Sequence, residues 1–349
     1  MQDAVHRMSL PPLRFKPILK PRAWGGDHFD RPPDWSGGDE VIGESWILAD
    51  LPTSILDGRS TVENGPLAGR SLHELLASTP DAILGSAAPT VTGGFPLLVK
   101  ILDAGQNLSV QVHPTPRYVE DHPDAAVKTE TWFVLEAGPD AVVYRGLRPD
   151  VDADSLRSAI ASGAGILDLL VKIPVAAGDC IHLPSGTCHA LGADVRVVEI
   201  QTASDTTFRV WDWDRNDPAR PLQLDAAMAC LSFGAAPTSP AAVIRCSDTP
   251  AVEADGVRRR RLCTAGEFMI DHLDLDAGTH PVTIGSTPVI LVGIEGDHSV
   301  VDTDGHRTRL AAEDAVLLPV SNAAPRIECD APGRVLLVEL PATPGVRLA

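Results

Sequence analysis

Gln111 and His113 stand two positions apart in Gln111-Val112-His113-Pro114, and Glu130 follows in Lys128-Thr129-Glu130. A second imidazole, His189, ends the stretch Gly178 to His189, which reads as a strand running into a tight turn at Pro184 and Gly186. Residues i and i+2 of a strand share a face, so Gln111 and His113 address one point while Val112 packs on the opposite side. Together the four side chains offer an amide oxygen, two imidazoles and a carboxylate. That set suits one borderline divalent ion per chain: zinc first, with iron, nickel, cobalt or manganese as substitutes. A structural zinc site is more often rich in cysteine, so a nitrogen and oxygen site with room for water or substrate is expected. Cys188 adjoins His189, but a strand turns neighbours to opposite faces, which makes it a buried thiol rather than a ligand.

The elements that must position these residues are mostly strands. Short apolar or alternating runs at 96–102, 107–113, 131–137, 141–147, 179–184 and 195–201 are bounded by Gly, Pro, Asp and Asn. Thirty prolines and 29 glycines fit many turns between short strands. The expected class is mainly β, a sandwich or jelly roll with a few covering helices. One helix is expected after the serine cap Ser71, ending before Pro80, and another within Val151 to Leu170, started by Asp154 or Ser155.

A weak internal repeat sets Glu313 to Ala324 against Gly178 to His189. Asp314 falls opposite Asp179 and Pro319 opposite Pro184, while Ala324 occupies the place of His189. Two domains are therefore expected, a metal-binding one over 1–235 and a degenerate copy over 240–349, joined by the Ser/Pro/Ala-rich segment Gly234 to Ala242.

Composition narrows the partners. The 349 residues are 44% hydrophobic and carry a net charge of −18, with lysine only at 16, 20, 100, 128 and 172. Such an acidic chain argues against nucleic acid or an anionic membrane as a bulk partner. An anionic substrate must be held by local cations, and Lys100 and Lys128 lie close to the ligand set in sequence. The six cysteines form no CxxC pair, which points to reduced thiols in the cytoplasm. Residues 1–15 have no apolar core of a signal peptide, and no run approaches the length of a membrane span. Arg258 to Arg261 reads as a solvated strand or loop, and His73, His122, His272, His280, His298 and His306 as polar or surface residues. His182 is read as a structural or supporting histidine near the pocket. No feature sets an oligomeric state.

The paired spacings Gly105, Gln111, His113, Glu130 and Gly178, Pro184, Gly186, His189 resemble the two motifs of the cupin superfamily. More narrowly, Trp24-Gly25-Gly26, Gly43-Glu44-Ser45-Trp46, Lys100, Ser109, Glu199-Ile200-Gln201 and the run Ser204 to Arg215 are similar to type I mannose-6-phosphate isomerases in that order. The resemblance covers roughly residues 16 to 220. It implies two cupin domains and a zinc-dependent aldose–ketose isomerase acting on a phosphorylated hexose, mannose 6-phosphate, with Gln111, His113, Glu130 and His189 as ligands. Arg209 matches an active-site arginine suited to charge stabilisation, because a guanidinium keeps its proton. Lys128 and Glu199 are both candidates for proton transfer. Lys100 and Ser109 match positions associated with the phosphate, and Arg215 is a third candidate. Phe208 and Trp211 stand where many relatives carry tyrosine, which leaves a different sugar open, and Trp211 with Trp213 could line a pocket or pack in the core. A sugar-phosphate-binding protein without turnover is the other reading.

Overall fold

A computed structural model describes residues 9–33, 38, 40–163, 165–234, 243–322 and 324–342. The chain forms two compact units, one of Met1–Ile18, Ile47–Val99 and Cys246–Ala349, the other of Leu19–Trp46 and Lys100–Arg245. The sequence suggested two successive domains, 1–235 and 240–349, whereas these units interleave along the chain. Two pairings that no local pattern announces account for this. Leu13 and Arg14 pair antiparallel with Leu317 and Val316. The helical segment that follows Ser71 is hydrogen-bonded to the C-terminal third, with Ser86 N donating to Ser286 O (2.8 Å) and Ser321 N to Ala82 O (2.9 Å). The linker reading falls on Gly234 to Ala242, of which all but Gly234 lie outside the described residues.

The second unit carries a seven-stranded sheet, in the order Val243–Arg245, Asp179–Leu183, Glu130–Ala137, Val195–Thr202, Leu97–Ala104, Ile42–Leu48, Ile18–Pro21. Its five-stranded partner runs Phe208–Trp211, Val110–Val112, His189–Leu191, Val142–Leu147, Leu170–Pro174. Trp132, Val134, Ile181 and Val197 from the first sheet meet Val143 and Leu191 from the second in one core, which makes the unit a β-sandwich. The outer face of the five-stranded sheet, with Val110, Val112, Cys188 and Ala190, is closed by the helices Ala153–Ser162 and Leu224–Cys230 through Leu156, Ala227 and Cys230. Val112 and Cys188 thus face away from their neighbours Gln111 and His189, as strand alternation requires.

The first unit repeats the plan with seven strands and four. Leu273, Val289, Val316 and Val335 on one side share a core with Val300, Leu310 and Ile327 on the other. The aligned segments fold alike: Asp179 accepts from Ala176 N (3.0 Å) and Asp314 from Ala311 N (2.9 Å). Thr187 N donates to Pro184 O at 3.1 Å, and Asn322 N to Pro319 O at 2.9 Å.

Two local expectations change. The second helix is Ala153–Ser162 and its cap is Asp152, because Ser155 at the third helical position both donates its N–H to the Asp152 carboxylate and accepts from Asp152 N. His272, His280 and His298 are buried, 3%, 4% and 3% exposed, rather than on the surface. His280 and His298 satisfy one ring nitrogen each on the carbonyls of Asp276 (2.8 Å) and Glu295 (3.0 Å), which lets a polar ring sit in a core. Arg258 to Arg261 lies on the strand Val257–Thr264, largely exposed as expected, and all four guanidiniums pair with Asp271 or Asp274. No helix among the described residues is long and apolar enough to cross a membrane.

Candidate metal centre and active-site cavity

One row across the five-stranded sheet assembles much of the site. Gln111 pairs with His189 on one neighbouring strand and with Arg209 on the other. The turn that delivers His189 is fixed by Gly186, which donates its N–H to His113 O (3.2 Å) and has φ +83°. A Cβ there would lie 2.9 Å from both Cys230 O and Thr115 Cγ2, so only glycine fits. Glu130 comes from the opposite sheet, where it pairs with Leu183 and Gln201.

The two imidazoles are set in one tautomer by backbone carbonyls. His113 Nδ1 donates to Thr206 O (3.1 Å) and His189 Nδ1 to Thr187 O (2.9 Å), which leaves both Nε2 atoms with lone pairs. These lone pairs face Glu130, with Nε2 of His113 3.1 Å from Oε2 and Nε2 of His189 3.2 Å from Oε1. Burial holds His113 neutral, down to about 3, with the Lys128 ammonium adding to the effect. Burial alone would raise the Glu130 carboxyl, but its charged surroundings, the Lys128 ammonium foremost, outweigh it and keep the group well below the usual range. The His113 Nε2 and both Glu130 oxygens are buried without a hydrogen-bond partner. Lone pairs and a carboxylate at such distances repel unless a cation lies among them. The three donor groups, all within 4.8 Å of one another, therefore fit a divalent ion. Gln111 joins them through its amide, whose Nε2 is 3.2 Å from His189 Nε2.

Gln111 and Lys128 line a cavity of about 630 Å³, within the range of small-molecule sites. A buried chain of alternating charge runs along it. Arg22 grips Glu44 with Nε at 2.7 Å, Glu44 lies 3.8 Å from Lys100 Nζ, Lys100 is 3.2 Å from Glu199, Glu199 is 3.9 Å from Lys128 Nζ, and Lys128 is 3.0 Å from Glu130. Burial opposes the charge of Glu44, yet Arg22 and Lys100 hold it well below the usual carboxylate range. Burial likewise opposes the Lys100 ammonium, and Glu199 and Glu44 raise it above its ordinary value. The second oxygen of Glu199 accepts from Trp132 Nε1 at 2.9 Å. Arg209 also lines the cavity and makes no ion pair among the described residues. Burial and the neighbouring Arg220 lower its affinity for the proton.

Most residues singled out from the sequence meet here. Gln111, Lys100, Lys128, Ser109, Glu199 and Arg209 line the cavity, and His113, Glu130 and His189 adjoin that lining through Gln111 and Lys128. Arg215 does not line it. Its guanidinium is held by Asp212 (3.0 Å) and Asn107 O (2.7 Å). Trp211 and Trp213 pack on one another, with centroids 4.6 Å apart, and Phe208 packs edge-on to Tyr118. None of these three rings lines the cavity; all are partly buried against the core of the five-stranded sheet, which is where Phe208 and Trp211 differ from tyrosine. His182 is hydrogen-bonded to Thr131 Oγ1 (2.9 Å), a structural place. Sequence reasoning missed Arg22, Glu44, Asp205 and Arg220 in the lining. Glu44 stood in a motif that had been noticed without a role. Asp205 likewise lies in the run Ser204 to Arg215, and nothing local distinguishes Arg22 and Arg220 from surface charges.

Residues 13–130 match the family model of the phosphomannose isomerase type I catalytic domain. That span holds Lys100 to Glu130 and stops short of Glu199, His189 and Arg209. The chain is 38% identical over 226 residues to a mannose-6-phosphate isomerase of Streptococcus mutans, covering 64% of this chain and 68% of that one. It is 36% identical over 211 residues to one of Bacillus subtilis, covering 60% and 64%. Its fold is similar to the crystal structure of a mannose 6-phosphate isomerase from Bacillus subtilis, with TM-score 0.79, 26% identity and coverage of 95% and 99%. A phosphomannose isomerase variant from Salmonella typhimurium shares the fold at TM-score 0.68 and 16% identity, covering 95% and 100%.

Proposed function

This chain belongs to the type I phosphomannose isomerase family, and from that premise we propose how its centre interconverts D-mannose 6-phosphate and D-fructose 6-phosphate. The fold is of the cupin type, and the centre belongs to the sandwich of residues 19–46 and 100–245. We read the other sandwich as a copy without this centre, since Ala324 stands where the repeat places His189.

The resident ion is zinc, one per chain, held by Gln111, His113, Glu130 and His189. When bound it supplies Lewis-acid stabilisation to sugar oxygens that gain charge. The remaining chemistry falls to side chains along the cavity. In the open-chain aldose a base removes the proton from C2, the electron pair moves toward the C1 carbonyl, and an enediolate results. Glu199 is the base: Oε2 is anchored by Trp132 Nε1, while Oε1, 3.2 Å from Lys100 Nζ, is the oxygen left to take the proton in the cavity lining. Lys128, placed between Glu130 and Glu199, donates a proton to O1 of the enediolate. Arg209 stabilises the enediolate charge with a guanidinium that makes no ion pair among the described residues. Return of the proton from Glu199 to C1, with the O2 hydroxyl proton passing back to the Lys128 amine, gives the ketose and restores both groups. The phosphate is met by Arg220 and Arg22 in the lining, with Lys100 serving Glu199 and Glu44.

Six free cysteines and the negative charge agree with a reducing cytoplasm, where we place the enzyme. The observation that carries the reading is the convergence of His113, Glu130 and His189, with both Nε2 atoms within 3.2 Å of the carboxylate, beside Lys128, Glu199 and Arg209. Metal analysis coupled to conversion of mannose 6-phosphate to fructose 6-phosphate tests it. One zinc per chain, loss of turnover with chelator and recovery on adding zinc are expected. Bound metal with no turnover of any phosphorylated aldose would overturn it.

A further inference from the structure

We propose that Ser109 is the positioning residue for the amide of Gln111, the one proposed metal ligand whose donor atom its own geometry leaves open. The inference rests on Gln111 being a ligand. The imidazoles are already oriented by Thr206 O and Thr187 O, and a carboxylate offers the same atom on either side. A glutamine amide carries oxygen and nitrogen at equal reach, and only the oxygen can bind a cation.

In the structure Gln111 Nε2 faces His189 Nε2 at 3.2 Å, and Ser109 Oγ donates to Gln111 Oε1 at 3.1 Å. His189 spends its only N–H on Thr187 O, so its Nε2 is an acceptor here. When that lone pair is given to a cation, the amide N–H loses its partner. Rotation of the amide by half a turn then brings Oε1 to the ion and Nε2 to Ser109. A serine hydroxyl is both donor and acceptor, so Ser109 supports either orientation. Methyl or apolar side chains at this place support neither. Ser109 is 3% exposed and lies two residues before Gln111 on the same face, so the hydroxyl is the partner the fold provides. This use of Ser109 replaces contact with the phosphate as its role.

The test is the zinc dissociation constant, measured by competition with a chromophoric chelator, for wild type, Ser109→Ala, Ser109→Thr, Gln111→Ala and the Ser109→Ala/Gln111→Ala double variant. Support for a ligating residue is worth about 10–100-fold in metal affinity. Ser109→Ala is expected to weaken zinc by that factor, Ser109→Thr to stay close to wild type, and the double variant to match Gln111→Ala alone. Apo-protein melting should be the same in all five. If Gln111→Ala weakens zinc and Ser109→Ala does not, the positioning role is wrong and the ligand stands. If Ser109→Ala raises KM for mannose 6-phosphate at unchanged zinc affinity, Ser109 serves the phosphate and the proposal is overturned. If Gln111→Ala leaves zinc affinity unchanged, the amide is no ligand and both readings fall.

Discussion

Arg209 stands directly opposite Gln111 on the neighbouring strand, so the guanidinium assigned to charge stabilisation is one strand away from a proposed metal ligand. The register is held at the backbone, where Arg209 N donates to Gln223 Oε1 at 2.8 Å and Gln223 N to Arg209 O at 3.0 Å. The side chain is therefore free of any task in holding the strand. Arg209→Ala is expected to keep metal content and melting behaviour while kcat falls by roughly two to three orders of magnitude, the usual loss for a donor at a developing oxyanion. Arg209→Lys should recover little, because a point charge does not reproduce a planar fork. Elemental analysis beside steady-state kinetics decides it, and a parallel loss of metal would mean a structural role.

Lys128 and Glu199 can be separated by the sign of their effect on metal. Glu199→Gln keeps the shape and the Trp132 contact, and should lower kcat by roughly 10²–10⁴-fold with zinc retained. Lys128→Met should also lose turnover. It removes an ammonium 3.0 Å from Glu130, however, so repulsion between that charge and the dication disappears. Zinc is then expected to bind at least as tightly as in wild type. Weaker binding in Lys128→Met would place Lys128 in the support of Glu130 rather than in the chemistry.

Gly186 links the backbone to the metal. Gly186→Ala combines a left-handed φ of +83° with contacts at 2.9 Å to backbone and side chain. A loss of about 1–3 kcal/mol of stability is expected, together with weaker zinc binding as His189 is displaced. Gly163 is the control, with φ +66° and open space around its Cβ position. Gly163→Ala should cost about 1 kcal/mol and leave zinc unaffected. Urea titrations and zinc competition on both variants check the pair.

His272 makes the first unit sensitive to acid. Burial pushes its imidazole down to about 4, against the attraction of Asp274 and with Arg260 and Arg334 adding to the shift. The unfolded chain titrates near 6.5, so between there and about 4 it takes up a proton that the folded form refuses. Stability from this group is full above that window and falls as pH drops through it, by on the order of 3 kcal/mol. Denaturation measured from pH 7 to pH 4 should show a shallower slope for His272→Leu than for wild type. Equal slopes would show that the imidazole is protonated in the fold.

Alternation along single strands accounts for what could be read in advance. Gln111, Val112 and His113 divide between two faces in any strand, and Cys188 and His189 do the same, so the shared face of Gln111 and His113 and the buried thiol follow from alternation. The Asp179 and Asp314 turns were visible because each is closed within four residues. Burial of His280 and His298 was not, since their carbonyl partners satisfy a ring nitrogen only after the strands have packed.

The sequence by itself determined the strand pattern, the turns and the shared face of Gln111 and His113, because these depend on contacts within a few residues. Tertiary structure alone decided that Arg22, Glu44 and Arg220 line the cavity while Arg215 does not, and that residues 1–18 and 47–99 join the C-terminal unit. A charge reads the same in any sequence. Whether it ends in solvent, in an ion pair or against a substrate depends on which distant carboxylate folding brings to it.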